Sequence, residues 1–414
     1  MSKELRYSTF SDNRFPLTSF LHRTQFTEKS AAEGPTLLVM QQHKPRTFTE
    51  LEDLRSVLNR GNSLDHCVLQ GLDLRGIRLD PEHASVAGAV FLGCSFSDEQ
   101  TPHLLQGRGA RVFPAFPDRP YNPYRSALYT WRELMEGYNE EEDHSLDSKV
   151  YNHALAARSG GHDIMEDLSQ RLHDHAIDDA LQDLLHTSPE RNVVAIMGGH
   201  GTARSDPFFR KVAKIARALT RTGYFVASGG GPGIMEAANL GAYLAPADDG
   251  ALDHAIGILS QSDTYRDSGY VEKAREVLSS FPSDAESLAI PTWFYGHEPS
   301  NLFASHIAKY FSNSIREDGL LAIARHGVIY APGSAGTMQE IFMDACQNHY
   351  GTFGFVSPMV FLGQERWSER TGLYDLIKKE AAGRKYSGML TLTDDEEVVV
   401  EFIRGHPPMA KSED

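Results

Sequence analysis

Three times in the second half of this 414-residue chain, a short apolar run ends in glycines and opens into a helical pattern. MGGHGT (197–202) follows NVVAI, SGGGPGIM (228–235) follows YFVA, and APGSAGTMQE (331–340) follows GVIY. Short apolar runs between amphipathic stretches mark parallel strands buried on both faces. DPFFRKVAKIARALTRTG (206–223) is such a stretch, with proline near its start and glycine at its end. HAIGILS (254–260), AIPTWFYG (289–296) and SPMVFLG (357–363) read as further strands. Residues 301–326, 335–349, 365–383 and 396–405 read as helices. Strands alternating with helices predict an α/β fold, a Rossmann-like doubly wound parallel sheet over residues 191–414.

In such sheets ligands sit beyond the carboxyl ends of the strands, where all three glycine clusters fall. Glycine lets the backbone approach an anion closely, and a helix start offers unpaired N–H groups with partial positive charge. One such turn is ordinary loop geometry, whereas three in one sheet point to an anionic ligand. Gly198, Gly199, Gly229, Gly230, Gly231, Gly233 and Met235 are therefore candidate contacts in the first two loops. No GxGxxG follows the first strand, and GxxxxGK[ST], GxSxG, HExxH and paired-cysteine patterns are lacking.

The region before residue 191 is less regular. CVLQG, LDLRG and IRLD place Leu69, Leu74 and Leu79 five apart, and AVFLG and CSFSD continue with Phe91 and Phe96. That rhythm resembles a short pentapeptide-repeat β-helix; two ordinary strands with glycine turns fit as well. The acidic stretch 139–147 marks a boundary, and residues 148–188 read as helical. The expected organisation is an accessory domain over 1–145, a helical connector over 146–190 and the sheet domain over 191–414. His162, His173 and His175 lie in the connector among acids. His173 and His175 point to different helix faces, so they read as solvated surface and no metal is expected.

The second and third loops resemble the GGGxxGxM and PGGxGTxxE segments of the "lonely guy" (LOG) family, also called lysine-decarboxylase-like. EPSN (298–301) is similar to a segment of its longer bacterial members. The resemblance covers roughly residues 190–390. It implies a phosphoribohydrolase that cleaves a nucleoside 5′-monophosphate, of the AMP or cytokinin riboside type, to free base and ribose 5-phosphate. It makes Glu340 the catalytic carboxylate and assigns the phosphate to Gly333, Gly336 and Thr337. Ser334 stands where the motif has its second glycine; serine keeps the turn if its φ is negative, and its hydroxyl can contact phosphate, whereas a positive φ would alter the loop and the substrate preference. The family's arginine falls on Arg316, with Arg325 as second choice. The resemblance implies no cofactor, and a homodimer or larger even homo-oligomer.

Other readings remain beside this one. Glu340 in isolation reads as a carboxylate favoured by the helix dipole. Trp293, Phe294 and Tyr295 can stack on a base or fill the core, Glu236 reads as a helix-start acid, His200 as a phosphate, base or plain loop contact, and Cys346 as core. A non-catalytic nucleotide or molybdenum-cofactor carrier is the rival class. A DNA-binding relative disagrees with a net charge of −16, so no nucleic-acid partner is expected. Literal lysine decarboxylation has no marked Schiff-base lysine. With no apolar leader, no stretch approaching ~20 apolar residues and three cysteines outside any CxxC pair, no membrane partner and a cytoplasmic location are expected.

Overall fold

The computed structural model describes residues 45–79, 84–161, 163–186, 190–295 and 299–411. In chain order, strands β1 (Thr47–Phe48), β2 (Val68–Gln70), β3 (Val90–Leu92) and β4 (Arg111–Phe113) form a four-stranded parallel sheet in that order. Leu69 pairs with Phe91, 22 residues on, so one coil of chain separates the two strands. Leu64, Leu69, Leu74, Leu79 and Ala84 are buried at five-residue intervals, and Cys67 and Leu72 fill the positions between them. The rhythm is therefore real core spacing, built as short parallel strands whose coils stack.

The second sheet holds β5 (Val193–Met197), β6 (Phe225–Ser228), β7 (Leu288–Ala289), β8 (His306–Ile307), β9 (Val328–Tyr330), β11 (Met359–Leu362) and β12 (Leu390–Thr393). Its order is β12-β11-β9-β5-β6-β7-β8, parallel throughout. Strands β10 (Phe355–Val356) and β13 (Met409–Ala410) form a separate antiparallel pair. The Rossmann-like doubly wound arrangement is visible in the alternation along each strand. Val193, Ala195 and Met197 pack into one core layer, Val194 and Ile196 into the other. Met359 and Phe361 likewise oppose Val360 and Leu362. A strand buried on both faces has no place for polar residues, which is why β5 is apolar at all five positions.

One layer is formed by the helices Pro207–Arg221, Ile234–Tyr243, Ala251–Leu259, Tyr270–Ser280 and Glu396–Gly405. The other holds Leu146–Gly160, Ile164–Leu185, Asn313–Ile323 and Ala335–Tyr350. The connector helices thus lie on the sheet itself, through Val150, Ala154, Ile177 and Leu181.

Several local expectations are corrected. HAIGILS is part of the Ala251–Leu259 helix, not a strand, since Ala255, Ile256, Ile258 and Leu259 bury at helical spacing. Residues 301–326 hold β8 and a helix that starts only at Asn313, because Ser300 and Asn301 bond elsewhere. The connector breaks at Gly161, whose φ is 101°. Leu390–Thr393 adds an edge strand that its mixed LTLT pattern did not suggest.

Candidate functional site

The strand order reverses between β5 and β9, and the loops that follow these two strands meet there. Gly199 N donates to Pro332 O at 3.0 Å, and Ile234 N donates to Gly199 O at 3.1 Å, so all three glycine loops join. A crevice at the switch point of a parallel sheet is the expected ligand position. Gly233 has φ 68°, and a Cβ there would lie 2.5 Å from Gly199 O, so only glycine permits this junction. At Gly333 a Cβ would fall 2.1 Å from Thr337 Oγ1, which holds the third loop flat against the helix it opens.

The candidate loop residues divide into two groups. Gly198, Gly199 and Gly333 are half-buried and Ser334 and Gly336 exposed, so their backbone faces the crevice mouth. Gly230, Gly231 and Gly233 are buried. Asn301 supports two of them: its N–H donates to Gly230 O at 2.9 Å and its amide to Gly231 O at 3.4 Å. Met235 places its Sδ over Gly229, and Thr337 is buried. Ser334 has φ −108°, a conformation open to any residue, so its replacement of glycine leaves the turn intact.

Glu340 lies in the second turn of the Ala335–Tyr350 helix and is 9% exposed. Arg316, on the Asn313–Ile323 helix and equally buried, places Nη1 3.4 Å from Glu340 Oε1. Arg316 is aimed by Asn313, whose Oδ1 accepts from Nε at 3.2 Å and Nη2 at 2.7 Å. A second buried carboxylate, Glu317, lies 3.4 Å from Nη2, and its other oxygen accepts from Gln339 Nε2 at 2.7 Å. Burial pushes the Glu340 carboxyl up to about 7, and Glu317 adds to the rise; Arg316 opposes both without cancelling them. A carboxyl poised near neutrality in a crevice is suited to moving a proton.

Arg325 is elsewhere. It is exposed at the amino ends of the strands, paired at 2.9 Å with Glu190. Arg316, not Arg325, is the arginine brought to Glu340.

Asn313, Glu317 and Gln339 escaped the sequence reading, although they flank Arg316 and Glu340 within a helical turn. Asp174 of the Ile164–Leu185 helix was missed too. Its carboxylate accepts from the N–H groups of Phe311 and Ser312 at 2.8 and 2.9 Å, anchoring the chain that leads into Asn313. No local pattern marks a residue whose partners lie 137 and 138 positions away.

Three residues depart from expectation. His173 is fully buried, not solvated: Tyr129 OH meets its Nε2 at 2.8 Å, and Tyr121, Trp293 and Phe311 surround its ring. Its burial holds it below the usual histidine range. His175 is exposed, and His162 lies outside the described residues. Glu236 is more than a helix-start acid: Arg204 grips it at 2.9 and 2.5 Å and Tyr270 OH donates at 2.8 Å, all nearly without exposure. Cys346 is exposed rather than core. In the aromatic cluster Trp293 is core, with Nε1 bonded to Asp147 at 2.7 Å, whereas Phe294 and Tyr295 are about half exposed. His200 is exposed at the loop edge, with its ring 6.3 Å from that of Tyr265. Of EPSN, Ser300 and Asn301 are buried supports, and Glu298 lies outside the described residues.

No family model and no curated protein matches the sequence. Among solved structures the chain is similar to the molybdenum cofactor binding protein of the phototrophic bacterium Rippkaea orientalis, at 12% identity over 53% of this chain and 98% of that one, TM-score 0.34. It is similar to the Moco carrier protein of Chlamydomonas reinhardtii at 12% identity over 52% and 97%, TM-score 0.34. TM1055 matches at 17% identity over 52% and 99%, TM-score 0.32. Likeness at this level assigns no activity to this chain. No described helix is long and apolar enough to cross a membrane.

Proposed function

We propose that the chain is a phosphoribohydrolase that splits the N-glycosidic bond of a nucleoside 5′-monophosphate, releasing base and ribose 5-phosphate. The observation that carries this reading is Glu340: a buried carboxyl raised to about 7, 3.4 Å from Arg316, one turn into a helix that begins in a glycine loop. Gly333, Ser334, Gly336 and Thr337 would present N–H groups to the phosphate, with Gly198 and Gly199 facing them across the crevice. One rigid helix would then hold both the phosphate and the carboxylate.

Breaking the C1′–N bond builds positive charge on the ribose, as in other glycoside hydrolyses. Ionised Glu340 stabilises that charge and accepts a proton from the attacking water, whose oxygen bonds to C1′. The bonding pair leaves with the base, which takes up a proton. Arg316 keeps a share of Glu340 ionised at neutral pH and faces the ribose. The balance is nucleotide plus water to base plus ribose 5-phosphate, and the reading invokes no metal or redox cofactor. Residues 191–414 form the catalytic part, residues 146–190 its connector and residues 1–145 an accessory region. We further propose a cytoplasmic protein that assembles as a homodimer or larger even oligomer. Supporting the assembly, Phe342, Tyr350 and Phe353 are exposed on and just beyond the helix that bears Glu340.

Incubating the full chain with AMP, GMP, CMP and N6-prenylated AMP, with chromatography of the free base, tests the activity. Base release is expected from at least one, with kcat reduced about 10²–10⁴-fold in Glu340→Gln. Nucleotide binding without release overturns the hydrolase and leaves a binding or carrier module.

A further inference from the structure

The helix that carries Arg316 starts at Asn313, after a serine whose side chain makes no capping bond, Ser312. Its start is held instead from the connector, by the Ile164–Leu185 helix. Asp174, 1% exposed, accepts from the N–H groups of Phe311 at 2.8 Å and Ser312 at 2.9 Å. A carboxylate in that place also suits the positive end of the helix dipole. One turn further along the connector helix, Asp178 accepts from Tyr310 OH at 2.8 Å. Residues four apart on a helix are neighbours, so the two carboxylates grip three consecutive residues, 310–312. The Phe311 ring lies 5.0 Å from that of His173 and 4.8 Å from that of Trp293, which pack it from the side.

From this chain of contacts we infer that Asp174 is a positioning residue for the Glu340 site, acting through Arg316. The inference deepens the hydrolase reading above and rests on it. Asn313 is the first residue of its helix, and its Oδ1 accepts from Arg316 Nε at 3.2 Å and Nη2 at 2.7 Å. The guanidinium is therefore aimed from the helix start. Where Asp174 sets residues 311 and 312, Asn313 follows, and the guanidinium follows Asn313. At its far end Arg316 Nη1 stands 3.4 Å from Glu340 Oε1, longer than an ordinary N–H···O bond of about 2.7–3.2 Å. A contact already that long opens with a small movement of the helix start. Glu340 is faced by Arg316 and Glu317 from this helix and by Tyr330 from β9. Of these Arg316 alone carries positive charge, so its displacement drives Glu340 in one direction, towards the protonated form. The connector, outside the glycine-loop domain, thereby takes part in the chemistry.

Two variants of the full chain test this. Asp174→Ala strands the two N–H groups, whereas Asp174→Asn keeps the shape and sets an amide N–H₂ against one of them. In both, kcat for base release is expected to fall about tenfold, as misplacement near reacting groups does. The ionisation midpoint of Glu340 is expected to rise about one unit from its wild-type value of about 7. That midpoint is read without substrate, from the carbon-13 carboxyl resonance of the glutamate-labelled chain that Glu340→Gln removes. In an Arg316→Ala background, Asp174→Asn is expected to change kcat by less than about twofold and to leave the midpoint in place, because the route to Glu340 is already cut. An unmoved Glu340 midpoint in Asp174→Asn, or a fall in kcat that persists undiminished without Arg316, makes Asp174 an anchor of the fold alone and overturns the inference. A wild-type chain that releases no base overturns the hydrolase reading instead, and the Glu340 midpoint still decides the role of Asp174.

Discussion

Arg316 stands 3.4 Å from Glu340 through Nη1 and 3.4 Å from Glu317 through Nη2, so one guanidinium serves two buried carboxylates. Glu317 has a second donor in Gln339, whereas Glu340 has Arg316 alone among the described side chains. Burial and the charge of Glu317 hold the Glu340 carboxyl up at about 7, against the pull of Arg316.

Replacing Glu317 by Gln removes the like charge and leaves Arg316 to Glu340. Glu340 then titrates lower. In wild type, base release is expected to rise with pH through about 7, where Glu340 ionises. In Glu317→Gln that rising limb is expected about one unit lower, a differential interaction of about 1.4 kcal/mol. A pH–rate profile that keeps its wild-type midpoint rules out Glu317 as the group that sets the proton.

The two arginines are expected to separate cleanly. Arg316→Ala leaves Glu340 and Glu317 buried without their cation, and turnover should fall at least 10²-fold with some loss of stability. Arg325→Ala breaks only an exposed pair, worth about 0–1 kcal/mol, and should leave turnover within twofold. Steady-state kinetics on the two proteins decide this, and equal effects would remove Arg316 from the site.

Two neighbouring loop positions should behave oppositely. Ser334→Gly needs no change of backbone and is expected to bind nucleotide normally. Gly333→Ala must push Thr337 aside, since 2.1 Å is far inside contact distance, at a cost of about 1–3 kcal/mol and a loss of phosphate affinity. Thermal melts and ribose 5-phosphate titration check the pair. Normal binding by Gly333→Ala would show that the third loop does not hold phosphate.

Stability itself carries a pH signature from Asp344. Burial pushes its carboxyl up to about 7, although Tyr330 OH donates to it at 2.6 Å. Its folded value lies above its unfolded value of about 3.9, so the folded chain holds the extra proton. That contribution is fully present below about pH 4 and is lost as pH rises through about 7. The melting temperature is therefore expected to fall between about pH 4 and 7 and to level off above, with Glu340 acting in the same direction. Asp344→Asn should flatten the slope; an unaltered slope would mean Asp344 is ionised in the fold.

The chain's order of residues determines the layered sheet and the place where its glycine loops meet. Runs such as NVVAIM and SPMVFL can only be buried on both faces, and glycines at their ends open the helices that follow. Those signals are local, so they survive without coordinates, as does the five-residue spacing of Leu69, Leu74 and Leu79, which the structure extends to Leu64 and Ala84. The family resemblance put Arg316 ahead of Arg325, but it was the fold that assigned the two to opposite ends of the strands, because both lie near one helix. HAIGILS was misread because a short apolar run fits either period. The joining of Asp174 to Ser312, of Gly199 to Pro332 and of Arg204 to Glu236 was decided by tertiary packing alone. Buried polar groups must find partners wherever the fold brings donors and acceptors together, and sequence distance does not enter that requirement.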